Sequence, residues 1–371
     1  MKETAPNKPL VNKKRSLFKG ENGSVILIFI LFVIGIIAFE LITSVVAGEP
    51  TYPKFITPAN WLNIIMQVSV VGIMAMGMGV VMIGGGIDLS VGMVVSFVAL
   101  YVAKAYTDWH MPLPLAIITV IIFAVLMEGA MGFIISRLKV EPFIITLGGM
   151  ICIKGIALVV SNSKEVTMTG ALDWLKGNMV GDGIKDPISG LPLVVQTYVL
   201  VFIAATIIIW LVMKYTKYGR RVYAVGANKQ AAYLAGINVK NVVMSTYLLN
   251  GLLVAIGGIC LMARSNTAVI TIGQSLEIDV IAAVVIGGVA MSGGKGNMWG
   301  VFIGVILMGA IANGMNILKI QADMQYIVKG LILIIVVSAG AFATTVQEKR
   351  ILKQQREEFE SQEKLGKESA K

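Results

Sequence analysis

Apolar residues run along this chain in blocks of about twenty, parted by short polar stretches, which is the pattern of helices that cross a bilayer. Ten such blocks fall at about 25–47, 62–83, 91–106, 113–135, 143–160, 193–213, 242–263, 278–292, 298–316 and 325–346. Three of them, 91–106, 143–160 and 278–292, are short for a bilayer and are expected to be half-helices or re-entrant segments. The expected architecture is an all-α, polytopic membrane bundle of about ten segments, some broken. A transmembrane domain over 25–346 lies between polar tails at 1–24 and 347–371. The block at 25–47 is too long for a signal-peptide core, and no convincing cleavage site comes after it, so it reads as a retained anchor.

Composition agrees with the pattern. Of 371 residues, 56% are hydrophobic and only 14% charged, too few to clothe a soluble protein of this length. The 40 glycines suit packed membrane helices. Placing the N-terminus inside puts 22 Lys and Arg residues in inward segments and 7 in outward loops. The tails supply 13 of the 22, and the internal loops still favour the same side by 9 to 7. Both termini are therefore expected in the cytoplasm, and the net charge of +10 needs no nucleic acid to explain it.

Two loops stand out by length. Residues 161–192 are expected to face outward. Residues 214–241 are expected to face inward and carry Gly226-Ala227-Asn228-Lys229-Gln230-Ala231-Ala232. Asn228 is placed to cap a short helix through Ala231, Ala232 and Leu234, and Gly236 to end it. Such a helix suits either a docking element for a soluble partner or a connection lying on lipid headgroups.

The most distinctive stretch is Gly84-Gly85-Gly86-Ile87-Asp88-Leu89-Ser90-Val91-Gly92, three glycines and a carboxylate against an apolar block. Non-helical backbone at membrane depth is tolerated only inside protein or beside a water-filled cavity, and an acid there is a functional candidate by default. Asp88 is also well placed to cap the next span. Val284-Val285-Ile286-Gly287-Gly288 faintly echoes Val80-Val81-Met82-Ile83-Gly84-Gly85, and paired glycine-broken segments point to a solute path.

Covalent chemistry finds no support. The chain has one histidine, His110, in a short loop, and two cysteines, Cys152 and Cys260, which read as small core residues. No metal-ligand spacing, nucleophile elbow or phosphate loop is present. Met291-Ser292-Gly293-Gly294-Lys295 superficially matches an ATPase signature, but it joins two apolar blocks where no ATPase domain fits. Among the polar residues in or beside spans, Asp88, Ser90, Gln67, Asn250, Asp279 and Asn313 are taken as candidates for a path or gate. Amides and hydroxyls would suit a neutral, hydroxyl-rich solute rather than a multivalent ion.

Four stretches, in order, carry a resemblance: Gly85 to Gly92; Pro142-Phe143-Ile144-Ile145-Thr146-Leu147-Gly148; Gly219-Arg220-Arg221-Val222-Tyr223-Ala224-Val225-Gly226 continuing to Ala235-Gly236-Ile237; and Asp279 to Gly288 with Gly293-Gly294. Over roughly 55–345 the chain resembles permease subunits of bacterial ABC importers for simple sugars, the ribose, galactose, xylose and arabinose class. It departs from the usual pattern at Met131-Gly132 and Glu141-Pro142-Phe143. The resemblance implies a multi-pass protein of the cytoplasmic (inner) membrane that catalyses no covalent step and binds no cofactor. ATP and Mg²⁺ would sit on a partner ATPase, an extracytoplasmic sugar-binding protein would deliver solute, and a second copy would complete a homodimer. It assigns coupling to the ATPase to Gly226, Ala227, Asn228, Lys229, Ala231, Ala232 and Gly236. Alternatives are a Na⁺- or H⁺-coupled secondary transporter using Asp88, Glu128 or Asp279, and an ABC permease for a nucleoside, an autoinducer or a branched-chain amino acid.

Overall fold

The computed structural model describes residues 55–179 and 183–335, together with 34, 35, 37, 38, 40–42, 45 and 338. Both tails, most of the 25–47 block and the end of the last block lie outside the described residues.

Helices dominate. The order is α1 (Pro58–Ile83), α2 (Val91–Thr107), α3 (Leu113–Leu138), α4 (Pro142–Ser161), β1 (Val166–Thr167), α5 (Asp173–Lys176), α6 (Tyr198–Tyr215), α7 (Lys217–Ala227), α8 (Lys229–Leu234), α9 (Val239–Ser265), β2 (Thr267–Ala268), α10 (Leu276–Ile286) and α11 (Met298–Ile317). Residues 322–335 are also helical. Among the described residues, α1, α3, α4, α6, α9 and α11 are long and apolar enough to cross a membrane. At 11 residues, α10 spans about 16 Å, roughly half the hydrocarbon core. The block at 143–160, expected to be short, is corrected: α4 has 20 residues, because Pro142 at the first helical position starts the helix and Asn162 in the left-handed region ends it.

The core forms around α1 and α9. Both are 78% buried over their most apolar stretch, against 17% for α4 and 33% for α3 and α6. Mean hydropathy does not separate these helices, since every one is apolar throughout. Gly257 and Gly258 on α9 bring it against Met74 on α1 and Val98 on α2, with no room for a larger side chain at Gly258. Cys260 is buried on α9, but Cys152 is exposed on α4, so the core reading is corrected for that residue: α4 turns this face away from the bundle.

The long loop 161–192 packs at the end of the bundle where α1 begins. Its β1 pairs antiparallel with β2, setting Val166 opposite Ala268. Asp186, 2% exposed, accepts from the Ala59 N–H at 3.0 Å, placing a carboxylate on the α1 N-terminus. Burial would push this carboxyl up, but the N–H groups of Ala59, Ile188 and Ser189 and the Ser189 hydroxyl hold it below the usual carboxylate range. The 214–241 loop lies at the opposite end, joined by the length of α6.

Candidate functional site

Three glycine-rich segments, far apart in sequence, meet at the α7 end of the bundle. The first comes directly after α1. Gly85 takes φ of +82°, its N–H donates to the Met82 carbonyl, and the Gly86 N–H donates to the Val81 carbonyl at 3.0 Å. This is the Schellman closure, which releases the chain from the helix while satisfying its last carbonyls. The second comes after α10 and repeats it: Gly288 at φ +86° donates to Val285, and Val289 donates to Val284. The faint sequence echo is thus the same turn made twice.

The third segment is the end of α7. The two breaks join where the Gly294 N–H donates to the Ile83 carbonyl at 2.8 Å. Gly226 is wedged into this joint, so that a Cβ there would collide with the Ile83 carbonyl oxygen and stand 2.6 Å from Gly294 N. On Gly293 a Cβ would stand 2.8 Å from Gly85 Cα and 3.0 Å from the Gly226 carbonyl oxygen. On Gly294 it would stand 2.6 Å from Ala227 N. Backbone therefore touches backbone across three segments, which only glycine permits. The Met291–Lys295 stretch is part of this joint.

The short helix after the joint forms as its sequence indicates. The Asn228 side chain accepts from the N–H groups of Gln230 and Ala231, each at 2.9 Å, and so caps α8. Gly236, at φ +78°, closes it with another Schellman turn, donating to Tyr233 while Ile237 donates to Ala232. Ala232 is buried, whereas Ala227, Asn228, Lys229, Ala231 and Gly236 are exposed. Two apolar tips project beside them: Tyr233 is 71% exposed and Leu234 79%. Sequence reading placed Leu234 on this helix but missed Tyr233, although two large apolar residues at the end of a short polar helix were a visible signal.

Beyond the first turn the chain re-enters the bundle. Asn250 lies about 16 Å along α9 from Val239, and Asp88 reaches it there. Asp88 Oδ1 accepts from the Ser90 N–H at 2.8 Å and the Ser90 hydroxyl at 2.6 Å, and Oδ2 accepts from Asn250 Nδ2 at 2.7 Å. Ser90 Oγ also stands 3.2 Å from Glu128 Oε1 on α3. All four residues are fully buried. The capping expectation is refined: Ser90 is the residue ahead of α2 and makes no side-chain cap bond, while Asp88 braces the entry from two residues upstream.

The other candidates do not join this cluster. Asp279 sits in the first turn of α10, at the end away from the break, and pairs with Lys329 at 2.8 Å. Asn313 exchanges amide hydrogen bonds with Asn60, at 2.9 and 3.0 Å, near the start of α1. Gln67 is half-buried on α1, and its carbonyl accepts from Arg264 Nη1 at 2.9 Å. Beside the Asn60–Asn313 pair lies a cavity of 430 Å³ lined by Thr57, Asn60, Asn63, Ser189 and apolar residues, with no charged side chain in its wall among the described residues. No group of three His, Cys, Asp or Glu among the described residues could hold a metal.

A helical bundle with paired glycine-broken segments and a capped loop helix against them is a transporter's framework, and sequence comparison supplies the family. Residues 60–337 match the family described as branched-chain amino acid transport system / permease component. The chain belongs to this family. It is similar to the ribose import permease protein RbsC of Bacillus subtilis (strain 168), 38% identical over 285 residues that cover 77% of this chain and 85% of the relative. RbsC of Escherichia coli (strain K12) is 36% identical over 286 residues, covering 77% and 86%. The xylose transport system permease protein XylH of E. coli (strain K12) is 31% identical over 337 residues, covering 76% and 85%. No solved structure matches the chain. This permease is a multi-pass protein of the cytoplasmic membrane and a transport subunit; ATP hydrolysis belongs to a separate chain.

Proposed function

We propose that this permease carries a monosaccharide, a pentose or hexose, into the cell by alternating access, driven by a separate ABC ATPase. The observation that carries the mechanism is the glycine joint. The Ala227–Gly236 segment docks on the ATPase, with Tyr233 and Leu234 as apolar anchors. Because Gly226 is seated against both breaks, movement of this segment moves both at once. A shift at the membrane surface is thereby converted into rearrangement of α1–α2 and α10–α11. ATP and Mg²⁺ bind the ATPase, an extracytoplasmic binding protein presents the solute, and two copies of this chain form the pore in the lipid. Both termini lie in the cytoplasm, as the Lys and Arg distribution supports.

The uncharged amide and hydroxyl lining of the cavity beside Asn60 supports a neutral, hydroxyl-rich solute, as do the names of the ribose and xylose relatives. The family description favours a second reading, a branched-chain amino acid. Purification through a C-terminal tag with the native membrane partners tests the assembly: an ABC ATPase co-purifies, and its absence where a control ABC complex survives overturns the reading. Solute stimulation of the complex's ATPase by pentoses or hexoses, and not by leucine, separates the two substrates. Replacing Asn228 by Ala removes the cap of α8 and costs about 1 kcal/mol of local stability. Together with Lys229→Ala it is expected to lower sugar-stimulated ATP hydrolysis; unchanged coupling counts against the docking role.

A further inference from the structure

The polar cluster behind the first break contains two carboxyls, Asp88 and Glu128, and neither forms an ion pair among the described residues. Both are at 0% exposure. Counting hydrogens distinguishes them. Asp88 receives three donors, the Ser90 N–H, the Ser90 hydroxyl and the Asn250 amide, which is the complement of an ionised carboxylate. Ser90 has one hydroxyl hydrogen, and at 2.6 Å that hydrogen is committed to Asp88. Glu128 Oε1 nevertheless stands 3.2 Å from the same Ser90 oxygen, and Glu128 Oε2 has no partner among the described residues. Two oxygens at that separation attract only with a hydrogen between them, and Ser90 has none left to give.

We propose that Glu128 is a proton-binding site: its carboxyl is held as the neutral acid, donating to Ser90 Oγ, so that the two buried carboxyls carry one negative charge between them. A second ionised carboxylate here would be buried without any donor, a far larger cost than a neutral acid. The site is built to hold the group. Gly251 on α9 leaves space for the Glu128 stem, since a Cβ there would stand 2.8 Å from Glu128 Cβ. Asn250 Oδ1, buried and without a partner among the described residues, leaves a second unused acceptor in the same cluster. The titratable groups around Glu128 are Asp88 on the break, across the Ser90 hydroxyl, and the buried Tyr247 on α9, whose phenol donates to the Ile87 carbonyl at 3.3 Å.

The proton acts as a latch. While it is bound, hydrogen bonds tie the first break to α3 through Glu128 and to α9 through Asn250. Its loss places two negative charges on either side of Ser90 and pushes the break away from α3. Glu128 is thus a positioning residue for the moving segment, whatever solute crosses.

Infrared spectroscopy of the full-length purified chain tests this without transport. A carbonyl band of a protonated carboxylic acid is expected at neutral pH. It should shift on exchange into D₂O, vanish at alkaline pH, and be missing in Glu128→Gln. If that variant does not fold, Glu128→Asp, which keeps the acid and shortens its reach, should displace the band instead. In the assembled transporter the wild-type rate should fall at alkaline pH, and E128Q, which cannot lose a proton, should lack that fall. Absence of the band, or a band indifferent to both substitutions, overturns the proposal. So does an alkaline fall that persists unchanged in E128Q. A requirement for Na⁺ with no acid band would assign the cluster to a metal cation instead.

Discussion

The break after Ile83 and the break after Ile286 fold into the same turn. In each, a helix ends in a glycine with helical dihedrals, the next glycine crosses to positive φ, and the same pair of hydrogen bonds closes the turn. Past the turn the two segments part ways. After the first turn the chain dives back among the helices and sets Asp88 and Ser90, fully buried, against Asn250 and Glu128. After the second it stays near the surface, where Ser292, Lys295 and Asn297 are exposed and Asn297 only caps α11. The turn is a generic way of leaving a helix without orphaned carbonyls. The chemistry is decided by the next few residues and by which helices they meet.

The sharpest way to break this comparison is to remove the polar group from each side. Asp88→Ala leaves the Ser90 N–H and the Asn250 amide buried without an acceptor, at about 1–3 kcal/mol each, and should markedly lower the thermal unfolding midpoint in detergent. Ser292→Ala should change stability by no more than about 0.5 kcal/mol, as expected for an exposed site. Equal effects would mean that the first cluster is no more structural than the second break's exposed turn.

A smaller effect tests the joint the breaks share. Gly226→Val forces a branched side chain onto the Ile83 carbonyl and Gly294, and backbone cannot retreat as a flexible side chain would. A cost of about 1–3 kcal/mol is expected, with loss of solute-stimulated ATPase in whatever complex still assembles. Retained coupling would detach the loop from the breaks.

The smallest effect concerns the turns themselves. Gly85→Ala and Gly288→Ala each place a side chain at positive φ and should cost about 1–2 kcal/mol. At Gly85 nothing lies closer than 3.8 Å to the new methyl, so backbone strain is the whole cost there. Closely matched losses of melting temperature would sharpen the equivalence of the two turns. A far larger loss at one would show that its glycine also serves packing.

Much of this was legible in the chain. Apolar block length marked the long helices, because a bilayer sets the length of any segment that crosses it. Asn228 and Gly236 marked the ends of α8, because cap and turn chemistry is local to a few residues. The Gly84–Ser90 stretch was visible as a break because glycines and an acid stand against an apolar block. The partners of these residues were not legible. Asp279 shares a glycine-rich neighbourhood in sequence with Gly287, yet α10 carries it to the opposite end and onto Lys329. Asn313 meets Asn60 and Asn250 meets Asp88 across 253 and 162 residues, distances over which no periodicity reports.

By itself the sequence determined that this is a helical membrane protein, where α8 begins and ends, which residues close its turns, and which family it belongs to. Each of these rests on interactions within one turn or one span of chain. Only the tertiary structure decided that α1 and α9 are central while equally apolar α4 is peripheral. It also decided that Gly85, Gly226 and Gly293 form one joint, and that Glu128 faces the oxygen of Ser90. Those outcomes depend on which helix faces which. In an apolar environment that choice is made by close backbone packing and a few buried hydrogen bonds, neither of which leaves a trace in hydropathy.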